Sequence, residues 1–292
     1  MNTFLALDDT YARYASARFA VLPIPYDATT SYVSGTRFGP AAIITASQQV
    51  EWFDEELETQ CHRVGIATVE AVEPNAAGPA AMQEDVYRAA RRIVRDGKFP
   101  LALGGEHGIS SAVVRAVMQK HRTVSVLQID AHADLRDTYQ GSPYSHACVM
   151  RRIHELGAKI VPVGIRSVSR RERAFVKRAR IDVVSARACA DGDAWLDRVL
   201  GALGEVVYVT IDIDGFDPAY APGTGTPEPG GLDWYQVVGL LRRVAEKKRV
   251  VGADIVEVLP LPGQVVTEFL AARLAYKLIC YVATAGGTRS PG

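Results

Sequence analysis

Two stretches of the chain set acidic and imidazole side chains at alternate positions, each directly after an apolar run. The first is Asp130-Ala131-His132-Ala133-Asp134, which follows Val124 to Ile129. The second is Asp212-Ile213-Asp214, which closes the run beginning at Val206. In extended chain, residues i and i+2 point to the same face, so Asp130, His132 and Asp134 are expected to converge, as are Asp212 and Asp214. Runs this apolar read as buried strands, and carboxylates gathered on such a strand require cations to neutralise them. A third stretch, Gly104-Gly105-Glu106-His107, adds an imidazole after Pro100 to Leu103. A lone Asp-x-Asp is more often a cap or a solvated loop; the three stretches together point to metal. His107, Asp130, His132, Asp134, Asp212 and Asp214 amount to two imidazoles and four carboxylates, a charge that two divalent ions balance. The oxygen-rich set favours Mn²⁺, with Zn²⁺, Co²⁺ and Ni²⁺ also accommodated. Two ions about 3.5–4 Å apart can lower the pKa of a shared water from about 15.7 towards about 7, the chemistry of a hydrolase.

The elements that must position these groups follow from the hydrophobic pattern. Eight strands are expected: Arg18 to Pro25, Val64 to Val69, Pro100 to Leu103, Val124 to Ile129, Lys159 to Gly164, Ile181 to Val184, Val206 to Ile213 and Val250 to Val256. Helices are expected from about Pro40, over Asp85 to Asp96, Ile109 to Lys120, His146 to Leu156, Ser169 to Arg178, Asp193 to Leu203, Asp233 to Glu246 and Val265 to Ala285. The first dozen residues read as a loose arm. Residues 26–40 form a Thr/Ser/Gly-rich loop, of a length that is often functional after a buried strand. Near-continuous apolar strands alternating with helices predict an α/β fold with a mostly parallel sheet covered on both faces. No repeat or linker interrupts the pattern, so a single domain over residues 1–292 is expected. Ligands of open parallel sheets bind beyond the carboxyl ends of the strands. His107, Asp130, Asp214 and Glu257 each follow or end a strand, so four strands deliver polar groups to one edge.

Composition narrows the partners. Lys plus Arg and Asp plus Glu both number 33, and this zero net charge argues against nucleic acid or an anionic membrane. Cys61, Cys148, Cys189 and Cys280 are scattered and read as small buried hydrophobes in a reducing compartment. No basic segment with an apolar core opens the chain, which predicts a cytoplasmic protein. The segment Val265 to Ala285 is interrupted by Glu268, Arg273 and Lys277, as in an amphipathic core helix and not a membrane span.

The stretches Gly104-Gly105-Glu106-His107, Asp130 to Asp134 and Asp212-Ile213-Asp214-Gly215-Phe216-Asp217-Pro218 resemble the three signatures of the ureohydrolase (arginase/agmatinase) family. The resemblance runs from Gly35-Thr36-Arg37-Phe38-Gly39-Pro40 to the last helix. The run Ala221 to Gly231 and Pro143-Tyr144-Ser145-His146 are more similar to agmatinases than to arginases. The resemblance implies a three-layer α/β/α sandwich on an eight-stranded, mostly parallel sheet, with two Mn²⁺ ions held by the six residues above. It implies that His146 shuttles protons, that Glu257 binds the guanidinium, and that Thr226 lies on the substrate side. The reaction implied is hydrolysis of a small guanidino compound to urea and an amine, with agmatine, giving putrescine for polyamine biosynthesis, the first expectation. Arginine, 4-guanidinobutyrate and aminopropylagmatine are alternatives, as is the deacetylase chemistry that shares the architecture. Family members form trimers or hexamers, so a homo-oligomer is expected, and Arg166 with the charged helix after it would lie at an interface or face water. The loop 135–145 should overhang the metals. It lacks Asn and carries Tyr139, Tyr144 and Pro143, which resembles the agmatinase version, although Arg136 there suits a carboxylate tail.

Overall fold

The computed structural model describes residues 2–285, so both ends of the expected 1–292 domain lie outside the described residues. Within them the strands are β1 (Phe19–Ile24), β2 (Phe53–Asp54), β3 (Thr59–Gln60), β4 (Ile66–Thr68), β5 (Phe99–Gly104), β6 (Ser125–Ile129), β7 (Lys159–Ile165), β8 (Val184–Ser185), β9 (Val206–Asp212) and β10 (Arg249–Val256). Eight of them form one sheet in the order β4-β1-β5-β10-β9-β6-β7-β8. Every pairing in that sheet is parallel. The short antiparallel hairpin of β2 and β3, stitched to the last helix by Lys277 bonding Asp54 and Glu56, was not evident from the pattern.

Strand alternation divides the interior into two cores. On β9, Val207, Val209 and Ile211 join one core, under the helices Gly39–Ser47, Trp234–Lys247 and Val266–Thr284. Tyr208 points the other way, into the core under Pro79–Arg95, Ser110–Met118 and Val149–Glu155. This is the three-layer α/β/α sandwich expected from the resemblance. Among the described residues no helix is long and apolar enough to cross a membrane. Cys61, Cys148, Cys189 and Cys280 are buried free thiols.

Three boundaries differ from expectation. The strand expected over Ile181 to Val184 shrinks to the two residues of β8, in keeping with the short strands that close sheet edges. The helix expected from Asp85 begins at Pro79, where proline suits the first turn. The first residues are not a loose arm: Phe4 and Leu5 are buried, and their N–H groups donate to Thr68 Oγ1 and Ser47 Oγ.

The chain lays down β5 and β6 on opposite sides of a gap that β9 and β10 later fill. The four central strands β5, β10, β9 and β6 therefore end side by side, at the switch in strand order where α/β sheets hold ligands. The end of β5 is set by a close approach. Gly105 N–H donates to Ile24 O and Glu106 N–H to Tyr26 O. A Cβ on Gly105 would sit 2.1 Å from Tyr26 O. Gly105→Ala is therefore expected to force the strand ends apart and to destabilise the fold by about 1–3 kcal/mol, the usual cost of overpacking. Urea unfolding checks this, and an unchanged midpoint would show that the approach is not tight.

Candidate metal centre

The six residues named from the sequence meet at the carboxyl ends of the four central strands. His107 follows β5 in a one-turn 3-10 helix, Asp130 follows β6, Asp212 ends β9, and Asp214 lies in the next 3-10 turn. His107 Nδ1 is 3.1 Å from Asp130 Oδ2, 3.1 Å from Asp134 Oδ2 and 3.4 Å from Asp212 Oδ2. His132 Nδ1 is 2.9 Å from Asp214 Oδ2 and 3.7 Å from Asp130 Oδ1. Two groups with metal-ligand spacing result, His107 with Asp130 and Asp212, and Asp130 with His132 and Asp214. They share Asp130, so the arrangement suits a pair of ions.

The route to convergence is not the strand alternation expected. β6 stops at Ile129, and Asp134 reaches the cluster through a left-handed backbone with φ of 51°. Asp212 and Asp214 do not share a strand face either. The Asp212 carboxylate accepts the Asp214 N–H at 2.9 Å and turns the chain into the 3-10 helix. Short polar side chains that accept backbone N–H groups favour such turns over continued strand.

Whether the site suits cations is decided at His107. Thr210 Oγ1 donates to Asp254 Oδ1 at 2.6 Å, so it offers only lone pairs to His107 Nε2, 2.8 Å away. The ring proton therefore sits on Nε2, and Nδ1 turns its lone pair towards three carboxylate oxygens. Nδ1 is buried and, among the described residues, has no hydrogen-bond partner. A lone pair facing three acceptors is repulsive unless a proton or a metal ion lies between them. Burial alone would lower the His107 pKa, but these carboxylates raise it well above its ordinary value. The donor set is that of a hard divalent ion. The carboxylates are held from behind. Gln128 Nε2 donates to Asp130 Oδ2 at 2.8 Å, and Ala131 N–H to Asp214 Oδ1 at 3.0 Å. Such partners orient ligands and tune their basicity.

Glu257 and His146 flank this cluster. The Glu257 backbone has φ of 62°, its N–H donates to Gly105 O, and its Oε1 accepts the His107 N–H at 2.7 Å. Strained backbone of this kind persists where surrounding structure enforces it. His146, Thr226, Tyr139, Arg136, Ser31 and Glu257 line the cleft above Asp134 and Asp212. Its volume is about 150 Å³. Thr226 Oγ1 approaches Asp214 Oδ2 at 3.5 Å. The loop 135–145 overhangs the cleft as expected, with the Arg136 guanidinium 4.8 Å over the Tyr139 ring.

Several contributors were not identified from the sequence. Arg166, half-buried, turns its guanidinium into the chain, donating to the backbone oxygens of Asp214 (2.7 Å), Phe216 (3.2 Å) and Glu228 (2.6 Å). It thereby staples the 217–231 loop to the turn bearing Asp214. Gln128 and Thr210 carry a readable signal, since each is a polar residue in an apolar strand, two places before an acid.

Burial and the neighbouring carboxylates push Asp130 up to about 7 and raise Asp212 and Glu257 in the same direction. Burial alone would lower His132, but the Asp214 carboxylate pushes it up to about 11. Burial would raise Asp214, yet His132 holds it low. A carboxyl with a raised folded pKa binds its proton more tightly folded than unfolded, so its stabilisation is present at low pH and lost as pH rises through the folded value. His132 acts in the same direction above about 6.5, and Asp214 acts oppositely. Above about pH 5 Asp214, held low, is ionised both folded and unfolded, so the raised carboxyls and His132 set the slope. After chelation, the melting temperature is expected to fall between about pH 5 and about pH 8, and divalent metal should flatten that slope. Scanning calorimetry with and without Mn²⁺ measures it. A melting temperature that climbs across this window would contradict the electrostatic account.

A family model described as the Arginase family matches residues 17–280. A protein of Synechocystis sp. named N(1)-aminopropylagmatine ureohydrolase is 45% identical over 275 residues, covering 92% of this chain and 90% of the relative. An agmatinase of Pyrococcus horikoshii is 38% identical over 268 residues, covering 90% of this chain and 91% of the relative. Among solved structures, the agmatine ureohydrolase of Thermoplasma volcanium superimposes with a TM-score of 0.87 at 33% identity, covering 97% of this chain and 94% of that one.

Proposed function

This chain belongs to the arginase family, and from that premise we propose that it hydrolyses N1-aminopropylagmatine to urea and an amine. It is an agmatinase-like ureohydrolase. Agmatine, the first expectation from sequence, and its aminopropylated form share the guanidino end and differ in tail. The extended tail is better supported, because the relative at 45% identity is named for aminopropylagmatine and the one at 38% for agmatine. At about 150 Å³ the cleft is smaller than the roughly 300–1,000 Å³ that encloses drug-sized ligands, which fits a site that encloses the guanidinium and leaves the tail, short or long, at the mouth. In this reading the chain is one domain, works in the cytoplasm, and assembles as a homo-oligomer, a trimer or a hexamer. It does not act on nucleic acid or membranes.

His107, Asp130, His132, Asp134, Asp212 and Asp214 would hold two Mn²⁺ ions, and bound metal would supply water activated for attack at neutral pH. The rest falls to the protein. Glu257, its Oε1 already holding the His107 N–H, presents its carboxylate to the planar guanidinium and sets the carbon over the cluster. The cation also relieves the burial that raises the Glu257 pKa. Thr226 closes the substrate side beside Asp214. Burial lowers the His146 pKa against the opposing pull of Asp134, so the imidazole is mostly neutral at pH 7 and free to take up and pass on a proton. The C–N bond to the alkyl nitrogen breaks, the amine leaves with a proton delivered through His146, and urea departs.

Steady-state kcat/KM for aminopropylagmatine, agmatine, 4-guanidinobutyrate and arginine, after identical Mn²⁺ loading, tests the tail. Aminopropylagmatine is expected to lead agmatine by about 10-fold, roughly 1.4 kcal/mol in transition-state binding. Arginine in the lead would overturn the reading of the 135–145 loop, and 4-guanidinobutyrate in the lead would make Arg136 the tail's partner. His146→Asn should keep its metal content while kcat drops by about 10²–10⁴-fold, as expected for a group that transfers protons. Loss of metal instead would make His146 a ligand.

A further inference from the structure

We propose that Thr29 is a positioning residue for His146 and that Glu106 holds Thr29 in place; the proposal rests on reading His146 as the proton carrier. His146 opens the one-turn 3-10 helix His146–Cys148, where the leading N–H groups have no partner within the helix. Its N–H donates to Thr29 Oγ1 at 3.2 Å, and its ring Nδ1 lies 3.5 Å from the same oxygen. Thr29 in turn is gripped at two points. Its hydroxyl donates to Glu106 Oε1 at 2.7 Å and its N–H to Glu106 Oε2 at 2.6 Å.

The direction of these bonds carries the argument. Because the Thr29 hydroxyl proton goes to Glu106, Oγ1 presents only lone pairs to His146. It accepts the backbone N–H of His146, and ring Nδ1 lies between this oxygen at 3.5 Å and Ser145 Oγ at 3.3 Å. Nε2 faces Ser31 Oγ at 3.3 Å, a residue of the cleft wall. Glu106 is 1% exposed, and among the described residues no Lys or Arg pairs with it. A buried carboxylate satisfied only by neutral donors is costly, and here both its oxygens serve one residue. Glu106 also sits beside His107, so the chain Glu106–Thr29–His146 ties the proton carrier to the metal cluster at a fixed separation. The loop bearing Thr29 is shaped independently. Asp27 Oδ2 accepts the N–H groups of Gly35 (2.9 Å) and Arg37 (3.1 Å), and the Arg37 guanidinium pairs with Oδ1. This gives the 26–40 loop a definite task.

The test compares Thr29→Val, which keeps the shape and loses the hydroxyl, with Thr29→Ser, which keeps the hydroxyl, in the Mn²⁺-loaded full chain. Thr29→Val should lower kcat by about 10-fold or more, with KM within about 2-fold and metal content unchanged. Thr29→Ser should stay within about 3-fold of the parent. In a His146→Asn background, Thr29→Val should cost nothing further, because its effect passes through the missing ring. Imidazole ¹⁵N shifts of His146, read with diamagnetic Zn²⁺ in place of Mn²⁺, should differ between the parent and Thr29→Val. Should Thr29→Val not fold, Thr29→Ala gives the same comparison. A parental kcat in Thr29→Val, or a loss that adds fully to that of His146→Asn, overturns this inference alone. A parental rate in His146→Asn overturns the reading of His146 as proton carrier, and the role of Thr29 with it.

Discussion

Everything in this molecule answers to one electrostatic problem: four carboxylates and two imidazoles brought together where almost no water reaches. His107, Asp130, Asp134, Asp212 and Asp214 are all buried. Like charges at these separations repel strongly in a medium of low polarity, so the arrangement tolerates little looseness. The sheet supplies the rigidity. By inserting β9 and β10 between strands that precede them in sequence, the chain puts four strand ends next to one another, and the cluster residues follow directly from three of those ends, β5, β6 and β9. A cluster carried on flexible loops alone would relax apart.

The second layer of contacts repeats the logic with neutral groups. Tyr208 and Thr210 donate to the buried Asp254, both at 2.6 Å, and Thr210 thereby settles which His107 nitrogen turns to the cluster. Arg166 spends its guanidinium on backbone oxygens, which leaves the cluster's carboxylates free of a competing cation. That choice is informative. A guanidinium able to neutralise Asp214 directly would weaken the site for divalent ions, whereas one that grips carbonyls stiffens the same turn and leaves its charge pattern intact.

Much of this was legible from residue order. The apolar run, then acid, x, imidazole, x, acid after Ile129 pointed to the cluster, and the wider family resemblance pointed to His146 and Glu257, which line the cleft above it. The path of the backbone was not legible. Alternation predicts a shared strand face for Asp212 and Asp214, but the Asp212 side chain accepts its neighbour's N–H and ends the strand there. Local side chain to backbone bonds of this type leave no periodic trace. Long-range partners were hidden for a related reason: Thr29 and Glu106 lie 77 positions apart, and Arg166 and Glu228 lie 62 apart. Neither pair has a composition or spacing that would single it out. The short hairpin of β2 and β3 was missed because two-residue strands carry almost no pattern.

The division of labour that emerges explains how close relatives can share a reaction and differ in substrate. In the proposed reading the guanidinium end meets groups fixed at strand termini, where Glu257 is held by bonds to the β5 end. The tail would then meet the loops 26–40, 135–145 and 217–231, which contribute Ser31, Arg136, Tyr139 and Thr226 to the cleft. Changes at the tips of those loops alter what projects into the mouth while the candidate ligands stay at the strand ends. One constraint limits that freedom. The 26–40 and 217–231 loops touch where Gly225 passes Val33, since a Cβ on Gly225 would lie 2.7 Å from Val33 O. The 26–40 loop also holds His146 through Thr29. With Thr29 tied to His146 and Val33 pressed on Gly225, the exposed side chain of Tyr32 is the part of this loop left to read a longer tail in the proposed reading.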